Sequence, residues 1–391
     1  GNGYFKANIS TIVGKLYNDG DPRRDSGFTI FYIGINIGAL LPTTVCAEIG
    51  NIFGAQYGFA LAGVGMILGT LTFFLGRKSY EHAALPPDPE KLHSPAFGGK
   101  KGSGFTFSKF HLVILLSLAV IPVLYLLIVY NEVVGYLLGG TAIYVVYSLL
   151  AEAVKEGKVA RDRMIMMITM FVFNIVFWAC FEQAGTSLTL FADRNVDRMI
   201  GNWEMGAATT QFFNPAFILL FGSIFSVMWI KLTKIGKNPS IPAKFGLGII
   251  QLGLGYLVVY TLHSMGFVSD TFAMPLITLV LLYMLHTTGE LFLSPIGLSM
   301  VTKLAPKHMT GTAMGGWFLS FAGANYVAAI LAKMTGSEEG GGEEIAEAVS
   351  ASESLSTYLD VYTTMGLITV GIGLLLLIIS KPLNKLTHGI G

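Results

Sequence analysis

The sequence predicts an all-α polytopic membrane protein, and three observations carry that expectation. Of its 391 residues 53% are hydrophobic and only 13% are charged, whereas a soluble domain carries about a quarter charged residues; mean hydropathy is +0.63. The apolar residues gather in eleven long runs, most of them near the roughly 20 residues that a helix needs to cross a bilayer. The polar connections between those runs sort by charge onto two sides. A net charge of +1 gives no general argument for nucleic acid as a partner. Cys46 and Cys180 stand in apolar segments without ligand-like neighbours, so neither a metal site nor a disulfide framework is expected, and no cofactor is implied.

Taken in order, residues 1–17 read as the second half of a helix, with no start methionine and no signal-peptide pattern, so further residues are expected ahead of them. Apolar runs follow at 27–49 and 56–76. The polar stretch 77–109 contains Leu-Pro-Pro-Asp-Pro and Gly-Gly-Lys-Lys-Gly-Ser-Gly, the composition of a flexible linker. Runs 110–130 and 133–153 are joined by only Asn131 and Glu132, which requires a tight antiparallel pair, and their almost wholly apolar faces suit lipid. Six more runs lie at 164–191, 205–230, 245–267, 271–304, 309–334 and 358–379. Between the last two, 336–356 is rich in Glu, Gly, Ser and Ala and reads as a solvated acidic loop.

Alternating the runs across a membrane sorts the 25 Lys and Arg residues. One side receives all of them from Lys15 to Lys385 except Arg194, Arg198 and Lys333, which fall on the other side with the acidic loop; Lys6 alone lies inside a run. The positive-inside rule makes the basic side cytoplasmic and places the C-terminus there.

Three formal charges sit well inside the runs: Lys6, Glu182 and Glu290. A charge at that depth costs about 2.5 to 3.5 kcal/mol on insertion scales, so each calls for a partner or a watery pathway. Helical spacing puts Asn174, Trp178, Glu182, Thr186 and Thr189 on one face, expected to meet water or substrate. Glu290 shares its face with Tyr283, with His286 or Thr287, and with Ser294. Lys6 and Glu290 come to similar depths, which suggests an ion pair. His286 reads first as a hydrogen-bonded core histidine. Trp178 and Trp317 suit packing as well as a pocket, and Asn36, Gln211 and Asn214 suit bridges between helices.

The run Phe31-Tyr-Ile-Gly-Ile-Asn-Ile-Gly-Ala-Leu40 strongly resembles the signature of the proton-dependent oligopeptide transporter family, a branch of the major facilitator superfamily. Three other stretches are similar to the family's helices: Gly1 to Ser10, with its Gly-x-Gly-x-x-Lys-x-Asn-x-Ser pattern, to the fourth; Phe177-Trp-Ala-Cys-Phe-Glu-Gln-Ala-Gly-Thr-Ser-Leu188 to the seventh; and Gly289-Glu-Leu-Phe-Leu-Ser-Pro-Ile-Gly297 to the tenth. The resemblance runs over essentially the whole chain. It implies a major facilitator superfamily fold with 1–76 as the remainder of an N-terminal helix bundle, 77–109 as a cytoplasmic linker, 110–153 as an extra inter-bundle transmembrane hairpin, and 154–391 as a C-terminal six-helix bundle. Members of the family begin with three more helices, the first bearing Glu-x-x-Glu-Arg-Phe, and no Glu-Arg pair occurs in this sequence.

In function the resemblance implies proton-coupled symport of di- and tripeptides by alternating access, with protons, peptides and the lipid bilayer as partners, in the cell inner (cytoplasmic) membrane. Glu182 would be the proton site. Glu290 would bind the peptide amino terminus with Asn36 and Asn214, and Lys6 would pair with Glu290 or meet the peptide carboxylate. Tyr32, Trp178, Trp317 and Phe321 would line the pocket, with Ser294 on the Glu290 face. The runner-up is a same-family transporter of a non-peptide solute such as nitrate; a membrane sensor or scaffold is a further alternative, counted against by the absence of any large soluble domain. An enzyme is not expected, since no His-Glu-x-x-His, Gly-x-Ser-x-Gly or Cys-x-x-Cys pattern appears. If Lys6 and Glu290 pair, replacing either one by alanine leaves an unpaired buried charge and should severely impair transport; uptake assays that found both single variants intact would remove the pair from the mechanism.

Overall fold

The computed structural model describes residues 9, 12, 13, 16, 23–84, 89–96, 107–335 and 350–389. Among the described residues, ten helical segments are long and apolar enough to cross a membrane, one for each run from 27 onward. The run at 1–17 lies largely outside the described residues. The chain forms two compact units, Gly1–Ile35 with Ala60–Leu137 and Asn36–Phe59 with Leu138–Gly391.

In the first unit, α1 (Arg23–Leu41) begins and most of α3 (Ala55–Leu75) lies. The stretch expected to be a flexible linker holds two short helices where it is described, α4 (Arg77–Ala84) and α5 (Pro89–His93). An Arg77–Glu81 pair at 2.8 Å supports α4. Two backbone bonds, Ala96 N–H to the Phe107 carbonyl and Lys109 N–H to the Ser94 carbonyl, both 2.9 Å, then lead into α6 (Lys109–Val129). Ser108 and His111 cap its start reciprocally. Polarity there signalled solvent exposure, and local capping and pairing still order the backbone.

After Tyr130 the chain turns directly into α7 (Asn131–Glu156). Leu115, Ile121, Tyr125 and Ile128 on α6 and Tyr136, Ile143, Tyr144 and Tyr147 on α7 are exposed, an apolar surface that lipid accepts and water does not.

The second unit begins inside α1, which passes through a π-helical turn at Pro42–Cys46 into α2 (Ala47–Phe53). It continues with α8 (Lys158–Phe181), a 3-10 turn at Glu182–Gly185, and α9 (Ser187–Asn195). A second 3-10 turn, Ala208–Phe212, opens α10 (Phe213–Lys234). Then come α11 (Ile241–Ser264), α12 (Ile277–Leu304), α13 (Thr310–Lys333) and α14 (Ala351–Lys385). Between α9 and α10, β1 (Val196–Asp197) pairs in parallel with β4 (Met274–Pro275), and β2 (Met199–Ile200) pairs antiparallel with β3 (Trp203–Glu204). The last helix starts at Ala351, ahead of its apolar run, because Ser350 and Glu353 form a capping box; the rest of the acidic loop, 336–349, lies outside the described residues.

Helices pack closely in this unit because glycines let backbones meet. A Cβ on Gly253 would stand 2.8 Å from the Gly366 carbonyl oxygen, and one on Gly366 would stand 2.9 Å from that of Gly253. One α-helical heptad away, Gly246 and Gly373 repeat the arrangement, and Gly248 and Gly289 do the same between α11 and α12 at 2.7 Å. Association in lipid lacks the hydrophobic drive available in water, so such van der Waals contact carries much of the assembly. Gly253→Ala or Gly366→Ala should therefore destabilise the protein by about 1–3 kcal/mol through overpacking. Gly371→Ala on the same α14 meets open space and should be neutral, all three being read by thermal unfolding in detergent.

Candidate functional site

The expected single polar face of the 164–191 run does not persist, because the helix breaks. α8 ends at Phe181, Glu182–Gly185 tighten into a 3-10 turn, and Thr186 at φ −129° and ψ −100° precedes α9. Periodicity of 3.6 holds only in an uninterrupted helix, so Thr186 and Thr189 leave the line of Trp178 and Glu182. The Thr189 hydroxyl donates to the Ala184 carbonyl at 2.8 Å and accepts from Gln211 Nε2 at 3.0 Å. Asn174 does not face water either: it is fully buried and donates through Nδ2 to Ser320 Oγ at 2.8 Å, tying α8 to α13.

The break releases carbonyls, and buried side chains from four helices collect there. Tyr256 of α11 donates its hydroxyl to the Cys180 carbonyl at 2.6 Å. Gln183 Nε2 donates to the Ala179 carbonyl at 3.2 Å and across to the Ala328 carbonyl of α13 at 2.9 Å. Its Oε1 accepts from Ser187 Oγ at 2.7 Å, and Ser187 Oγ accepts from the Tyr362 hydroxyl of α14 at 3.2 Å. Gln183, Ser187, Tyr256 and Tyr362 have no exposed surface. None of them was singled out from the sequence, although a Gln four residues before a Ser inside an apolar run is a visible sign of backbone in need of partners.

On the facing side, Asn214 in the first turn of α10 reaches α12. Its Nδ2 donates to Glu290 Oε2 at 3.0 Å and to Thr287 Oγ1 at 3.1 Å. Glu182 and Glu290 lie near enough to feel each other's charge. Ser294, one turn beyond Glu290, has a buried hydroxyl without a hydrogen-bond partner among the described residues. Trp178 packs at 5.0 Å from Phe321 and 5.0 Å from Phe181, and its buried indole N–H is likewise unpartnered.

The remaining candidates fall elsewhere. Trp317 is 2% exposed and sits in the core against Phe171, Phe245 and Phe321, where its ring leaves no room for a Cβ on Gly297. His286 packs tilted against Tyr256, ring centroids 4.7 Å apart, and hydrogen-bonds the Leu252 backbone, while its buried Nε2 has no hydrogen-bond partner among the described residues. Asn36 on α1 is 5% exposed. Lys6 lies outside the described residues, as does the side chain of Tyr32. Among the described residues no His, Cys, Asp and Glu cluster is arranged to hold a metal ion.

The family model described as the POT family matches residues 1–347. The chain belongs to the POT family. Over 391 residues it is 33% identical to the uncharacterized transporter YclF of Bacillus subtilis (strain 168), covering all of this POT chain and 73% of that protein. It is 30% identical to dipeptide and tripeptide permease B of Yersinia enterocolitica, covering 99% of this chain and 74% of the permease. A mutant of the peptide transporter POT, crystallised with alafosfalin, superposes with a TM-score of 0.74 at 32% identity, over 98% of this chain and 73% of that one. The POT chain is a multi-pass membrane protein with the major facilitator superfamily fold, and a transporter rather than an enzyme.

The polar cluster at the break yields a direct test. Gln183→Leu leaves the carbonyls of Ala179 and Ala328 and the Ser187 hydroxyl without their partner, at about 1–3 kcal/mol for each buried group, and Tyr256→Phe removes one donor only. Thermal unfolding should rank native above Tyr256→Phe above Gln183→Leu; a Gln183→Leu protein as stable as the native one would show that the cluster does not hold the break.

Proposed function

We propose that this POT chain carries out proton-coupled symport of di- and tripeptides by alternating access across the cytoplasmic membrane, with its C-terminus in the cytoplasm. The observation that carries the reading is Glu290: a half-buried carboxylate in a membrane helix, oriented by Asn214, within electrostatic reach of a second carboxylate, Glu182. A carboxylate offers about four lone-pair sites, and Asn214 occupies one, leaving acceptors for the ammonium of a peptide amino terminus. Asn36 helps at that end, and Lys6 meets Glu290 or the peptide carboxylate. Trp178 and Phe321 supply a flat apolar wall, and Trp317 supports that wall from the core; Tyr32 is a further pocket residue in this reading. The Trp178 indole N–H and the Ser294 hydroxyl are donors available to peptide carbonyls.

Relatives named as dipeptide and tripeptide permeases support the substrate class. The charge distribution of the loops supports the orientation, since basic residues concentrate on the side that receives the C-terminus. Each positive charge carried inward down 100 mV contributes about 2.3 kcal/mol, enough for roughly fiftyfold accumulation before any pH gradient is added.

Uptake of a labelled dipeptide into proteoliposomes, under an inward proton gradient that is then collapsed with an ionophore, tests the whole reading. Gradient-dependent accumulation, competed by other dipeptides and not by free amino acids, is expected. Glu182→Gln should abolish uphill accumulation and leave counterflow exchange of the same peptide; proton-driven accumulation surviving in that variant would take the proton role away from Glu182.

A further inference from the structure

Another carboxylate, outside the site described above, lies in the membrane helices. Glu48 stands at the start of α2, directly after the π-helical turn Pro42–Cys46. The extra residue of such a turn rotates all that follows by about 100° relative to a regular helix, and the released carbonyls of Ala39 and Leu40 take bonds from Thr43 and Thr44. Glu48 Oε1 accepts the backbone N–H of Gly206 at 2.9 Å and the hydroxyl of Thr209. Gly206 is buried, and Thr209 is 3% exposed.

Both sides of this contact are built to hold it. On the α2 side, Gly54 at φ +110° reverses the chain, and a Cβ on Gly58 would strike the Cys46 carbonyl and the Gly50 backbone, so α2 and the start of α3 lie in near-backbone contact. On the other side, Arg198 donates to the Met205 carbonyl at 2.8 Å and pairs with Asp193 and Glu204, which fixes the loop that presents Gly206. A Cβ on Gly206 would stand 2.9 Å from Glu48 Oε1 and 3.0 Å from Thr209 Oγ1, so a larger residue there would press both side chains away from their bonds. Thr209 lies in the 3-10 turn that runs straight into α10, and Asn214, which holds Glu290, is in the first turn of that helix.

We propose that Glu48 is a positioning residue that latches the outer end of α10 to α2 when the outer side is closed, and lets go when that side opens. The inference rests on the alternating-access reading above and gives it a residue that no binding role requires. A carboxylate held by one amide and one hydroxyl suits a latch, because both partners can exchange to water when the helices part. The same bonds, while made, fix the α10 turn from which Asn214 projects, so closing the outer end and presenting Glu290 become one event.

The test uses the full-length protein in proteoliposomes and hydrogen exchange. Glu48→Ala should speed amide exchange over 204–212 and, by populating the outward-open state, lower the apparent KM for external dipeptide while lowering kcat; a change of roughly tenfold is what one hydrogen bond to a charged group is worth. A merely damaged protein does not gain apparent affinity. Gly206→Ala, which keeps the carboxylate but crowds it, should shift both readouts in the same direction to a smaller extent and add nothing to Glu48→Ala in the double variant. Glu48→Gln, whose Oε1 still accepts, should fall between. Unchanged exchange and unchanged KM in Glu48→Ala overturn the latch. A native protein that moves no dipeptide overturns the transport reading and the latch with it.

Discussion

A helix that breaks inside a bilayer must find partners for the carbonyls it releases, because hydrocarbon offers none. The break at Glu182–Gly185 meets that requirement with Tyr256 on the Cys180 carbonyl and Gln183 on the carbonyls of Ala179 and Ala328. Since these donors and acceptors belong to α8, α11 and α13, with α14 joining through Tyr362 and Ser187, tertiary structure holds the turn where local propensity alone would continue the helix. Glu182, the first residue of the turn, takes its place from four helices at once. The cluster leaves α8 little freedom to slide past its neighbours without losing buried hydrogen bonds, each expensive to leave unmade.

Close backbone approach is what lets those side chains arrive. Tyr256 reaches Cys180 because Gly246 and Gly253 bring α11 against α14 while Gly248 brings it against Gly289 of α12. Larger residues at these positions would hold α11 away and leave the Cys180 carbonyl unpaired. The glycines and the polar cluster therefore act as one device: the first sets distance, the second sets register. Gly289 and Glu290 illustrate the division, being adjacent on α12, with the glycine pressed on α11 and the carboxylate turned to Asn214 of α10.

Sequence length and hydropathy were enough to find the membrane segments, since a bilayer imposes a helix length that no loop imitates. Glu182 and Glu290 were legible singly, because a charge in hydrocarbon is costly wherever it sits. Their partners were harder to see. Asn214 lies 76 residues from Glu290, and only the fold brings them together. The polar face drawn through Thr186 failed because helical periodicity presumes an unbroken helix, and the Gln that mends the break carries no signal of where its bonds go. Ser350 and Glu353 did carry a signal, the capping-box spacing, which outranks hydropathy in fixing where α14 begins. Glu48 was not singled out in the sequence; its partners include a backbone amide, which leaves no trace in side-chain sequence.

The two carboxylates of the site depend on different supports. Glu182 is placed by the cluster joining α8, α11, α13 and α14, whereas Glu290 is oriented from α10 by Asn214. A displacement of α10 thus changes what Glu290 is bonded to, and through the Gln211–Thr189 bond it also reaches the turn that carries Glu182. In the proposed transport reading a peptide amino terminus at Glu290 would be felt by α10, and both the Gln211–Thr189 bond and the electrostatic reach between the carboxylates would pass that event to Glu182. Aromatic walls at Trp178 and Phe321 add contact area with little directional demand. In that reading selectivity would rest on the termini and backbone, which all short peptides share, and side chains would be accepted broadly.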